Sequence, residues 1–380
     1  MVRLGIIGLG NMGTAHAKIV PQLTGVQLVA VADEDSKRLH AYPDLKTFAD
    51  PQALINSGEV DAVLIATPHY SHTTLGIAAL EKGLHVLVEK PISVHKADAE
   101  RLIAAWNPQK QVFAAMFNQR TDPFYQAIRE IVQGGQLGEI RRTNWIITNW
   151  FRTEAYYGSS AWRATWGGEG GGVLLNQCPH NLDLFQWICG MPSKVRAFCA
   201  FGRDHNIEVE DEVTAYFEYP NGATGVFITS TGEAPGTNRL EIAGDLGKLV
   251  FEANKLTLTL NEVSASDFCK SSKESFAAPK TTVSEVSPDG KAGQHQEILQ
   301  NFIDAITTST PVIAPAAEGI HSVELANAML YSAWTDTTVE LPLDSAAYEA
   351  ALQAKIDESS FQKAVFEGGD VDISKSFAGI

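Results

Sequence analysis

The chain has 380 residues, 44% hydrophobic and 19% charged, which is the composition of a globular protein large enough for two domains rather than a disordered or membrane chain. With 29 basic against 45 acidic residues its formal net charge is −16, which disfavours nucleic acid and anionic membrane surfaces as partners. No apolar run approaches the roughly 20 residues that cross a bilayer, and Met1-Val2-Arg3 leads into the first strand without room for a signal peptide, so a cytoplasmic location is expected. Cys178, Cys189, Cys199 and Cys269 lack Cys-x-x-Cys spacing, so neither a metal site nor a disulfide framework is expected.

The apolar run from Arg3 to Ile7 ends in Gly8-Leu9-Gly10-Asn11-Met12-Gly13 and is followed by a helix-compatible stretch from Thr14 to Val20. Strand, glycines and helix in that order form the turn in which a dinucleotide pyrophosphate meets bare backbone N–H groups. A second strand, Val26 to Ala32, delivers Asp33, whose carboxylate suits the adenosine ribose hydroxyls. Asp50-Pro51 caps and opens a helix to Ser57. Strand Asp61 to Ala66 ends in Thr67-Pro68-His69, Ser71 is expected to cap a helix to Lys82, and strand His85 to Val88 delivers Glu89-Lys90-Pro91. This alternation predicts a parallel sheet with helices on both faces and its ligand beyond the carboxyl ends of the strands, where Gly8, Asp33, Thr67 and Lys90 fall. Strand Gln111 to Met116 and the segment Phe117-Asn118-Gln119-Arg120 close a first domain of residues 1–120.

Residues 121–380 are expected to form a second α/β domain. A helix from Pro123 to Val132 precedes a long strand from Ile140 to Phe151. Further strands over Val195 to Phe201, Glu212 to Tyr219, Thr224 to Thr231, Arg239 to Ala243, Lys248 to Phe251 and Leu256 to Leu260 are mostly separated by hairpin-type turns. They predict a large, mostly antiparallel open sheet, one face of which is a candidate interface for a homodimer or homotetramer. Tyr156, Tyr157, Trp162 and Trp166, with Arg152 and Arg163 interspersed, offer aromatic faces and polar groups suited to a saccharide. Gly170-Gly171-Gly172 then brings main chain against a ligand or another backbone. Pro179 opens a helix that puts His180 in its first turn, Asn176 just before it, and Asp183 three residues on, on the same face. Residues 263–293 read as an excursion with some strand, helices follow from His295 to Ile306 and from Gly319 to Trp334, and residues 361–380 receive no role.

Gly8 to Gly13, Ala66-Thr67-Pro68, Glu89-Lys90-Pro91, and Gly170-Gly171-Gly172 leading through Asn176 to His180 and Asp183 together resemble the glucose–fructose oxidoreductase and inositol dehydrogenase family. The stretch from Trp150-Phe151-Arg152 to Asn176-Gln177-Cys178-Pro179-His180 looks like its levoglucosan dehydrogenase branch. The resemblance runs from residue 1 to about 345 and implies an N-terminal Rossmann domain, a C-terminal α/β domain, and nicotinamide-dependent oxidation of a sugar or polyol. It puts the family's lysine on Lys90 and its active-site histidine on His180. Many members carry Asp where this chain has Asn176, so His180 is expected to stay neutral to lower pH, unless Asp183 faces it and raises its pKa.

The expected catalytic residues are Lys90 and His180. Lys90, Asn118, Tyr156, Arg163, Asn176 and His180 are expected at the substrate. Gly8, Gly10, Asn11, Met12, Gly13, Asp33, Thr67, Pro68, His69, His72, Glu89, Lys90, Asn118, Trp162 and Arg163 are expected at the dinucleotide. NAD is expected over NADP, because Asp33, Glu34 and Asp35 would repel a 2′-phosphate, with Arg38 the one residue able to reverse this. A non-catalytic dinucleotide-binding sensor is the alternative on the same fold.

Overall fold

The computed structural model describes residues 1–363, so all but the first three positions of the 361–380 stretch lie outside the described residues. The first sheet comprises β1 (Val2–Ile7), β2 (Val26–Ala32), β3 (Lys46–Phe48), β4 (Ala62–Ile65), β5 (His85–Val88) and β6 (Phe113–Ala115). Between the strands run α1 (Asn11–Ile19), α2 (Ser36–Leu39), α3 (Pro51–Asn56), α4 (His69–Glu81) and α5 (Lys96–Ala104). Every pairing is parallel, in the order β3-β2-β1-β4-β5-β6. Strand order reverses at β1 and β4, which opens a ligand crevice beyond their carboxyl ends. The strands are apolar on both faces because helices cover both: β4 is buried at all four positions.

The second half runs α6 (Pro123–Gln133), β7 (Ile140–Ile147), α7 (Glu154–Gly158), α8 (Trp166–Glu169), α9 (Pro179–Cys189) and β8 (Lys194–Phe201). It continues with β9 (Glu210–Glu218), β10 (Thr224–Ser230), β11 (Asn238–Gly244), β12 (Gly247–Glu252), β13 (Lys255–Asn261), α10 (Ala265–Ser271) and β14 (Thr281–Val286). Last come α11 (Gln294–Thr308), α12 (Gly319–Thr335), β15 (Val339–Glu340) and α13 (Ser345–Glu358). Nine strands join in the order β14-β13-β12-β11-β7-β10-β9-β8-β15, antiparallel except where β10 lies parallel to β7. Alternation along β9 buries Val213, Ala215 and Phe217 and exposes Thr214 and Tyr216. Phe185 of α9 packs on Phe217 and Phe227 from the buried side. α11 turns back to the first sheet, where Ile298, Leu299, Phe302 and Ile303 join its core.

Four local expectations need correction. The strand expected to reach Phe151 stops at Ile147, where its partner β11 begins; beyond it Thr148 N–H bonds to Thr237 in the turn containing Gly236. α4 starts at His69, not after Ser71, because Pro68 is extended and its carbonyl already accepts the Ser71 N–H. The 263–293 excursion holds the helix α10 as well as β14. The aromatic stretch before the glycines, where no element is expected, holds the short helices α7 and α8.

Candidate active site

Gly13 and Gly10 show how the first turn is built. A Cβ on Gly13 would lie 1.8 Å from the Gly8 carbonyl oxygen, so only glycine lets α1 pack against the end of β1. A Cβ on Gly10 would meet nothing within 4 Å, and no side chain caps α1. Bare N–H groups of Asn11, Met12 and Gly13 therefore face open space at a helix N-terminus, a seat for a pyrophosphate. Asp33 is buried at the end of β2; its Oδ2 accepts the Leu9 N–H at 2.6 Å and an Arg38 N–H at 3.3 Å, and its Oδ1 accepts the Asp35 N–H at 2.9 Å. Oδ1, with one bond, keeps a lone pair for a ribose hydroxyl.

Beyond β4, the buried His72 points its ring nitrogens at two carbonyls, Thr67 and Pro91, both at 2.8 Å. Both ring nitrogens thus face main-chain carbonyls of the two turns, and the neutral ring can donate to one of them. Thr67 Oγ1, by contrast, is buried without a partner. His69 is buried edge-on to Trp162, with ring centroids 5.6 Å apart.

The chemistry-bearing groups lie where β5 meets the start of α9. Lys90 donates from Nζ to the Asn176 carbonyl at 2.8 Å. Burial pushes the Lys90 ammonium below its ordinary pKa, against the raising charges of Glu89 and Glu169. His180, 5% exposed, has its ring edge-on to Phe117, and its Nδ1 finds no hydrogen-bond partner among the described residues. Burial first, and then the Lys90 charge, hold the imidazole well below its usual range, so it is neutral at physiological pH.

Asp183 does not supply a raising charge to His180. Both its oxygens are taken by Arg120, at 2.7 and 2.6 Å, with each side chain 1% exposed. Arg120 also reaches Glu318 at 2.6 Å. Removing one member of so buried a pair strands the other charge, at a cost of about 3–5 kcal/mol. The carboxylate beside Asn176 is Glu169 instead, which the sequence did not single out. The Asn176 amide donates to Glu169 Oε1, and Glu169 Oε2 accepts the Ala164 N–H at 2.6 Å. Asn176 Oδ1 accepts from the Tyr156 hydroxyl at 3.2 Å, and that hydroxyl accepts from Arg163 at 2.6 Å and Gln177 at 3.0 Å. The Arg163 guanidinium lies over the rings of Tyr156 and Trp162, at 4.4 and 4.9 Å from their centroids.

The glycine run makes close backbone contact rather than a ligand cradle: a Cβ on Gly172 would sit 2.0 Å from the Glu210 carbonyl oxygen. Asn118 is buried, donates to Gln294, and leaves its Oδ1 unpartnered. Buried atoms without a partner among the described residues thus recur around the site, on Thr67, Asn118, Arg163, Gln177 and His180. Gln177, Gln294 and Glu169 carry no local sequence signature; only their distant partners reveal them. Lys363, the last described residue, donates to the Arg163 carbonyl, and burial lowers its ammonium to about 8. A cavity of about 480 Å³ lined by Asp122, Tyr125, Asn238, Phe251 and Glu252 shares no residue with this site. No group of three or more His, Cys, Asp or Glu that could hold a metal occurs among the described residues.

Two family models match the chain: residues 2–117 the oxidoreductase family with NAD-binding Rossmann fold, and residues 125–250 the GFO/IDH/MocA C-terminal domain. The chain belongs to the Gfo/Idh/MocA oxidoreductase family. Within that family it is 28% identical over 262 residues to a myo-inositol 2-dehydrogenase of Thermotoga maritima, covering 65% of this chain and 74% of that protein. Its fold is shared with a WlbA dehydrogenase from Bordetella pertussis solved with NADH and UDP-GlcNAcA, at TM-score 0.75, 24% identity and 90% and 99% coverage of the two chains. It is also shared with levoglucosan dehydrogenase solved with NADH, at TM-score 0.74, 21% identity and the same coverages. The chain is therefore an NAD-binding oxidoreductase.

Proposed function

We propose that this Gfo/Idh/MocA protein is an NAD-dependent dehydrogenase that oxidises a secondary alcohol of a sugar, anhydrosugar or cyclic polyol. The observation that carries this reading is the convergence of Lys90 and His180 at the sheet's ligand-binding edge, among buried polar atoms that have no partner among the described residues. The residues present fit a dinucleotide: bare N–H groups from Asn11 to Gly13 for the pyrophosphate and Asp33 for the ribose. NAD, when bound, supplies the hydride acceptor. The protein's own part is to move a proton and to steady a charge. A neutral His180 takes the substrate hydroxyl proton as general base. The Lys90 ammonium, already placed by the Asn176 carbonyl, stabilises the developing alkoxide without reorganising. Tyr156, with Arg163 and Gln177 on its hydroxyl, offers a ring and a hydrogen-bonding group to a saccharide face.

The names of the relatives support the substrate class: one is a myo-inositol dehydrogenase, another was solved with a nucleotide sugar acid, and a third is a levoglucosan dehydrogenase. The test is reduced-cofactor absorbance with a panel of sugars, anhydrosugars and inositols. Turnover of at least one supports the reading. Tight NADH binding with no turnover across the panel would make the protein a sensor.

A further inference from the structure

Below the catalytic lysine lies a buried pair that the mechanism above does not use. His16 belongs to α1, the helix whose N-terminus faces the dinucleotide seat, and is fully buried. Its Nε2 lies 2.6 Å from Oε1 of Glu89, the residue before Lys90. Glu89 Oε2 in turn accepts the main-chain N–H of Lys90 at 3.1 Å. The His295 ring of α11 lies 5.5 Å from the His16 ring. Burial alone would raise the Glu89 carboxyl. The hydrogen bond from His16 and the fields of His16, His295 and Lys90 outweigh it and hold Glu89 down at about 2. An ionised carboxylate only accepts, so Nε2 of His16 carries the proton. An apolar pair would fill the same space at less desolvation cost; what the hydrogen-bonded pair adds is a carboxylate bonded to the backbone of Lys90.

We propose that His16 and Glu89 are positioning residues for Lys90: their bond clamps the end of β5 to the dinucleotide-binding helix, so that the lysine is held in one frame with the cofactor. The proposal rests on the role given above to Lys90. It also fixes how Lys90 should respond to change. The carboxylates of Glu89 and Glu169 and the Cys178 thiol pull its pKa up, while burial and Arg163 push it down. His180, His69, His72 and His295 also face it. Without the Glu89 charge, Lys90 loses the first of its raising partners and titrates lower still. Without a donor at residue 16, Glu89 is pushed up by its burial and takes up a proton, with the same effect on Lys90.

Competitive labelling with acetic anhydride, read peptide by peptide by mass spectrometry, locates the Lys90 titration without any substrate. Glu89→Gln and His16→Leu move it to lower pH than in wild type. His16→Gln, whose amide still donates to Glu89, leaves it in place. With myo-inositol, or whichever panel member the wild type oxidises, kcat falls at least about tenfold in the first two variants and is retained in the third. Fluorescence titration with NADH and thermal melting confirm that each variant is folded and binds cofactor. If His16→Leu does not fold, Glu89→Gln against wild type and His16→Gln decides. An unchanged Lys90 titration in folded Glu89→Gln overturns the proposal. The two readings fail separately: near-normal turnover in Lys90→Ala removes the role of the lysine, whereas an inactive Lys90→Ala beside an unchanged titration in Glu89→Gln removes only the pair.

Discussion

At position 176 the chain carries an amide where the family resemblance implies Asp in many members, and a carboxyl group, Glu169, lies beside it. Glu169 sits against the Asn176 amide, buried to 1% exposure, its carboxyl raised by burial and pulled back by Arg163. Asn176→Asp would therefore put two carboxylates in contact, and like charges that close share a proton rather than both ionise. The single substitution should leave the acidic limb of kcat/KM for oxidation close to wild type. Asn176→Asp combined with Glu169→Gln restores one carboxylate, now at residue 176, and nearer charge raises the His180 pKa. On the proposed role of neutral His180 as base, the acidic limb should then move to higher pH. Side-by-side pH–rate profiles of wild type, single and double variants check this, and a large shift in the single variant would contradict the shared-proton argument. Cofactor choice belongs to the same scale. Arg38 pairs with Asp33 and Asp35, at 3.3 and 3.7 Å, so it is already engaged by carboxylates that would repel a 2′-phosphate. A kcat/KM for NAD above that for NADP is expected, and the reverse order would show that Arg38 leaves those acids for the phosphate.

Among elements, the glycine run before α9 is held by β9. The Glu210 carboxylate, fully buried, accepts the N–H groups of Gly172 and Leu174 at 2.8 and 3.0 Å. Burial raises Glu210 to about 7, the two N–H groups opposing it. A folded-state pKa above the unfolded value gives stability that is complete below the unfolded value and lost as pH rises through the folded one. From pH about 4.5 to about 7, then, Glu210 withdraws support from the loop that carries Asn176 and His180. The melting temperature should fall across that window more steeply in wild type than in Glu210→Gln; parallel curves would show that Glu210 stays ionised throughout.

Elements were the legible level of this sequence. The first βα turn, the Asp50 cap with Pro51, and the helices opened by Pro123 and Pro179 stand where local chemistry put them. Lys90 and His180 come together because each is fixed by a terminus the sequence marks, the end of β5 and the start of α9. What could not be read are pairs between distant residues. Glu89 with His16, Arg120 with Asp183 and Gly172 with Glu210 are separated by 73, 63 and 38 positions, and no periodicity or cap links them. The two roles open to Asp183 could not be separated for that reason: its helical spacing from His180 is visible in the sequence, its bond to Arg120 is not. The sequence likewise marked His72 as polar at a ligand edge without showing the two carbonyls that occupy it.

For the whole molecule, the nine-stranded sheet has helices on one face and an uncovered face on which Phe198 is 63% and Tyr216 42% exposed. Tyr216 pairs with Arg196 across β8 and β9, and Phe198 with Thr214, so the two aromatics are diagonal neighbours on that face. Large exposed rings set among polar side chains fit an isologous interface, and a closed dimer or tetramer is expected in solution. Light scattering at micromolar concentration should find it, and Phe198→Arg should weaken it without changing the monomer's melt. A monomeric wild type would count against the interface. The two domains meet at the proposed site, the first contributing Lys90 and the second Asn176 and His180, so domain packing holds these groups together.

The central claim is that Lys90 and His180 carry out one oxidation between them. The most direct measurement is kcat for Lys90→Ala and His180→Ala with the best polyol or sugar of the panel, alongside NADH affinity by fluorescence. Each variant should lose at least about a hundredfold in kcat while binding NADH as wild type does. Near-normal turnover in either folded variant would contradict the role assigned to that residue.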